Sequence, residues 1–183
     1  MPPEDGGGGA ALPSIRRFTT HYDLAEDRVS LTLEREEGDV LRLWLTRRLL
    51  VRMVPELVKV LEKRLVTREG RPARAGETDQ RRDQRSALGG MQPQEPVRAE
   101  PGRETPDHLI TGVGLRLSRK AILLDMKAGE TVVQTVPFAI PHIRQWLAVL
   151  NQCFRRAGWD EDIWPAWLEP LPPGEAPPGL RLN

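Results

Sequence analysis

The sequence predicts an α+β fold: a small antiparallel β-sandwich or barrel with a helical insertion after the third strand and a C-terminal helix. Three observations predict it. A pattern of short alternating strands, Gly-marked turns and one amphipathic helix occurs twice, over residues 16–66 and 109–158. Turns of this length join antiparallel neighbours. The stretch between the copies is poor in large apolar residues, so both copies together form one domain, residues 14–66 and 109–168.

Residues 1–13 contain Gly6-Gly7-Gly8-Gly9 and are expected to be a disordered tail. Ile15 to Tyr22 reads as the first strand, and Asp23 to Asp27 as a turn. Val29, Leu31 and Leu33 then alternate with Ser30, Thr32 and Glu34, the period of a half-buried strand. Glu36-Glu37-Gly38-Asp39 is a hairpin turn, with Gly38 free to take a positive φ. Leu41, Leu43 and Leu45 share one face of a third strand, while Arg42 and Trp44 face the other way. Thr46 is the expected N-cap of a helix with Leu50, Met53, Val54, Leu57, Leu61 and Leu65 on its apolar side. Pro55 either kinks that helix or opens a second one.

Residues 67–107 hold Leu88, Met91 and Val97 as their only large apolar side chains and have no aromatic, and the linker is placed at 67–108. Such a segment cannot offset its ordering entropy by apolar burial, so it is expected to be a disordered linker. Leu109, Thr111, Val113, Leu115 and Leu117 then read as one face of a strand. Ile122, Leu124 and Met126 form a second strand, and Val132, Val136 and Phe138 a third. Pro141 suits the first turn of a helix whose buried stripe is Ile143, Trp146, Leu147, Leu150, Cys153 and Phe154. Gly158 is its expected stop. Residues 169–183 read as a Pro/Gly-rich tail.

Composition excludes several function classes. The formal charge is +1, which gives no global attraction to nucleic acid or membrane. One cysteine rules out an internal disulfide framework and fits a reducing compartment. No apolar run approaches the ~20 residues a membrane helix needs, and Met-Pro-Pro-Glu-Asp-Gly does not resemble a signal peptide. A cytoplasmic protein without cofactors is expected.

No catalytic constellation emerges. His21, His108 and His142 lack partners at metal-ligand spacing, so no metal site is expected. Cys153 lies on an apolar helix face, where a thiol acts as a small hydrophobe. Gly112-Val113-Gly114 falls inside a strand and lacks the third Gly and following helix of a phosphate loop; it reads as a close approach or a bulge. Asp160, Glu161 and Asp162 read as the acidic start of a helix. Two features point to binding. Arg47, Arg48, Arg52, Lys59, Lys63 and Arg64 outnumber Glu56 and Glu62 on the first helix, either as a solvated face or as a partner contact. Trp159, Trp164 and Trp167 cluster before the tail, either sealing the sheet or anchoring a partner. The expected contact residues are therefore Arg47, Arg48, Arg52, Lys59, Trp159, Trp164 and Trp167.

The insertion at 46–66 and the exit Val136-Pro137-Phe138-Ala139-Ile140-Pro141-His142-Ile143-Arg144-Gln145-Trp146-Leu147 resemble one superfamily. It comprises the head domains of the centriolar cartwheel protein and of the non-homologous end-joining scaffold proteins. The resemblance implies a non-enzymatic scaffold or adaptor that binds a protein partner, itself or both. Those proteins continue into a long coiled coil. This chain shows no sustained heptad, so dimerisation by coiled coil is not expected. The alternative reading is a nucleic-acid-binding module using the basic helix 47–64.

Overall fold

In the computed structural model the described residues are 14–69, 76–92, 94–98, 104–168, 171 and 180–181. The expected coil at 1–13 and most of the 169–183 tail lie outside them, as do the side chains of Arg64 and Leu65.

The first copy is an antiparallel meander of β1 (Ile15–Asp23), β2 (Arg28–Arg35) and β3 (Val40–Leu45), followed by α1 (Arg47–Glu69). The second is a meander of β5 (Gly112–Leu117), β6 (Ala121–Ala128) and β7 (Thr131–Ala139), followed by α3 (Ile140–Ala157). Between them come α2 (Gly76–Gly89) and β4 (Asp107–Ile110), and β8 (Leu180–Arg181) ends the order. The strands form two sheets, β4-β3-β2-β1-β8 and β5-β6-β7. The fold is thus α+β with two largely antiparallel sheets, and no barrel closes among the described residues.

Local chemistry explains most boundaries. The Leu49 amide donates to Thr46 Oγ1 at 3.2 Å, the expected cap of α1. Pro55 sits inside one continuous helix rather than dividing two. Gly158 takes φ 65° just past α3, where its own amide and that of Trp159 bond the last carbonyls.

Three expectations change. The strand read over 109–117 is broken at Thr111. Its first part, β4, runs parallel to β3 in one sheet, and β5 belongs to the other. The break shifts the buried register by one residue, so Ile110 is buried and Leu109 is 44% exposed. The linker expected to be disordered contains α2, and Val97 docks on the outer face of β1 with its amide 2.8 Å from Thr19 Oγ1. Finally, α3 is buried along the whole run 143–150 rather than along a stripe, because it lies against β1, β6, β7 and α2.

The polar helix α2 docks through amides, which is why hydropathy misses it. Gln80 Nε2 donates to the Leu61 carbonyl at 3.2 Å and Gln84 Nε2 to the Arg144 carbonyl at 3.1 Å. Gln145 Nε2 returns a bond to the Ala87 carbonyl at 2.7 Å. Buried amides that find partners avoid the desolvation penalty that otherwise excludes such sequence from a core.

Candidate interaction surface

The expected contact residues separate into two groups. On α1, Arg47 Nη2 lies 2.6 Å from Glu161 and Lys59 Nζ lies 2.7 Å from Glu56. Arg48 and Arg52 are exposed and have no ion-pair partner among the described residues. The basic face is therefore partly neutralised by its own acids. The acidic run at 160–162 opens no helix. Glu161 instead ties the segment after α3 back to Arg47.

The tryptophans belong mainly to the core. Trp159 is buried edge-on against Tyr22 and Phe154, and its Nε1 donates to Asp27 at 3.2 Å. Trp167 is buried beneath the Arg144 guanidinium at 5.0 Å, with Nε1 3.0 Å from Glu62. Trp164 is half-buried and meets the Phe154 ring edge-on at 5.2 Å. This is the sealing arrangement, and it withdraws Trp159 and Trp167 from the exposed surface.

What the sequence did not single out is a groove of about 720 Å³ between α1 and β5. Its walls include Leu49, Met53 and Val60 from the helix and Val113 and Leu115 from the strand, with Arg52 and Glu56 also lining it. Val113, Leu115 and Leu117 point to the side of the sheet on which Ile122, Leu124 and Met126 are buried. Yet Val113 and Leu115 are only half-buried, and Leu117 is 56% exposed. The reason is position: β5 ends its sheet, and no strand among the described residues pairs with its outer side.

On the opposite face of β5, Gly112 and Gly114 leave space that the strand β6 fills. A Cβ at Gly114 would stand 3.4 Å from Asp125 Cβ. Arg116 forks onto both Asp125 oxygens at 2.6 and 2.7 Å, and Thr135 Oγ1 donates to the same carboxylate. The Arg116 hydrogen bond is the chief cause holding Asp125 below its ordinary value of 3.8. A depressed folded pKa gives stability that is fully present above about pH 4 and is lost as pH falls through the folded pKa. Replacing Asp125 by Asn is expected to flatten the acid limb of the stability-versus-pH curve; an unchanged limb in urea titrations refutes the assignment.

Other candidates hold no cluster. Among the described residues no group of three His, Cys, Asp or Glu is placed to hold a metal ion. Burial pushes the Cys153 thiol up to about 12. Ellman's reagent at about pH 8 should therefore leave it unmodified until the protein unfolds. Rapid labelling of the native protein contradicts this. No helix among the described residues is long and apolar enough to cross a membrane.

Comparison with known proteins adds no relative: no family model, no curated protein and no solved structure matches this chain.

Proposed function

We infer that the protein is a non-enzymatic protein-interaction module, a scaffold or adaptor, whose contact surface is the groove between α1 and β5. The observation that carries this reading is the unpaired outer edge of β5, whose apolar face is left half open beside an apolar helix face. Exposed apolar surface next to an unpaired strand edge is disfavoured in a free protein unless something binds it. The half-neutralised basic face of α1 borders the same groove, so the two features form one surface.

The test is a photo-crosslinking residue placed at Leu117, with a control at Leu24, which is 83% exposed on the turn after β1. A discrete protein adduct from position 117, absent from position 24 and lost in Arg52→Glu, is the expected result. Equal, diffuse labelling from both positions overturns the reading.

A further inference from the structure

The two meanders treat their first strands differently. β1 and β5 each open a copy of the repeat, and each lies on the outer side of its own meander. The outer side of β1 is occupied: β8 adds to it antiparallel, with Phe18 opposite Leu180 and Arg17 opposite Arg181. No strand among the described residues pairs with the outer side of β5. The repeat therefore has two equivalent edges, one already filled by an extended segment.

Three features make β5 the receptive edge of the molecule. It carries no Pro, and its one charged side chain, Arg116, is held by Asp125, whereas its rivals are blunted. β7 contains Pro137 and faces a register shift in β6, and β4 spans four residues beginning with Asp107, which pairs with Arg42. Gly112 and Gly114 put no side chain on the outer face of β5, where Asp125 and Lys127 of β6 pack beside them. The inner face continues into the apolar groove, so every second residue of an added strand would find an apolar wall.

Charge identifies the occupant. Arg48 and Arg52 stand exposed at the α1 side without ion-pair partners among the described residues. Arg119 and Lys120 are exposed in the turn that ends β5, and Lys127 lies beside Gly112 and Gly114. Of the nearby carboxylates, Glu56 is engaged by Lys59 and Asp125 by Arg116, while Glu130 is exposed in the turn whose Gly129 amide bonds Thr111. The edge thus presents an excess of positive charge around an apolar track. Resting on the interaction reading above, we propose that β5 receives an extended acidic peptide as an antiparallel strand, its alternate apolar residues entering the α1–β5 groove and its carboxylates facing the surrounding cations. Main-chain bonds to the edge provide the affinity in this mode, and the groove and charges provide the choice of sequence.

The probe is a fluorescein-labelled synthetic peptide of about ten residues, the length of a long strand. It alternates Val or Leu with Asp or Glu; a second peptide keeps the apolar positions and carries Lys between them. The acidic peptide should bind the full chain with affinity that falls as salt rises. Arg52→Glu and Leu117→Asp, both at exposed positions, should each weaken it by about tenfold or more. Arg155→Glu, outside the groove, should not. Hydrogen exchange at the amides of β5 should slow when the acidic peptide binds. Equal binding of the Lys peptide, or protection confined to elements other than β5, overturns the proposal. So does salt-dependent displacement of the acidic peptide by an oligothymidylate that itself protects α1, which would favour nucleic acid. A concentration-dependent dimer that protects β5 without any peptide makes a second copy the occupant and likewise refutes it. If neither peptide binds while position 117 still yields its discrete crosslink, the acidic-strand proposal fails and the interaction reading stands. If both tests fail, both fall.

Discussion

Replacing Trp146 by Ala lowers the unfolding free energy by about 3–5 kcal/mol, the range for removing a large ring from a core that cannot collapse. Trp146 is fully buried on α3, where three elements meet. It stacks on Phe138 of β7 at 4.9 Å and meets Phe18 of β1 edge-on at 6.4 Å. Phe18 and Phe138 touch one another at 5.4 Å, so the three rings close a triangle joining the two sheets through the helix. The indole Nε1 also donates to Thr20 Oγ1 at 3.0 Å inside the core. Trp146→Phe keeps part of the stacking and loses the bond to Thr20, so it should fall between wild type and Ala. Urea unfolding followed by circular dichroism measures both. An Ala variant destabilised by less than about 1 kcal/mol would mean that the triangle does not hold the sheets together.

Gln80→Leu is expected to destabilise by about 2–3 kcal/mol, although it makes a polar helix more apolar. The Gln80 side-chain Oε1 accepts from Arg144 Nη2, and the Gln80 main-chain carbonyl accepts from Nη1. Arg144 is 2% exposed, and its Nε has no acceptor among the described residues. Burial pushes this guanidinium below its ordinary pKa, with Asp83 at 4.0 Å opposing the shift. Removing the Gln80 acceptor leaves a buried charge with fewer bonds, the expensive half of breaking such a pair. Replacing Arg144 by Met as well removes the charge, so the double variant should recover most of the loss. A double-mutant cycle separates the outcomes, since strictly additive losses would show that the two side chains are not coupled. Hydrogen exchange in α2 should rise in Gln80→Leu before the rest of the domain opens.

Both meanders and two of the three helices described are legible in the sequence because their signals are local. Leu41, Leu43 and Leu45 alternate whatever they pack against, and Thr46, Gly38 and Gly158 act on the backbone beside them. α2 was not legible for a physical reason. It contributes Gln80, Gln84 and Ala87 to the interior, and amide bonds to distant carbonyls leave no trace in hydropathy. The break at Thr111 was hidden because one apolar alternation runs through both β4 and β5, while the strands belong to different sheets. The candidate site was half legible. Arg47, Arg48 and Arg52 were read as exposed and are so, but Val113, Leu115 and Leu117 look like core residues in sequence and become a surface only because no strand among the described residues covers the edge of their sheet. The tryptophans show the reverse, since sequence cannot tell an anchor from a seal.

By itself the sequence determined the periodicities, the turns, the helix ends and therefore the α+β class. Tertiary structure alone decided which strand ends a sheet, which polar helix is taken into the core and which apolar face stays open. Those outcomes depend on pairings between residues far apart in the chain, whose free energy comes from geometry that local composition does not encode.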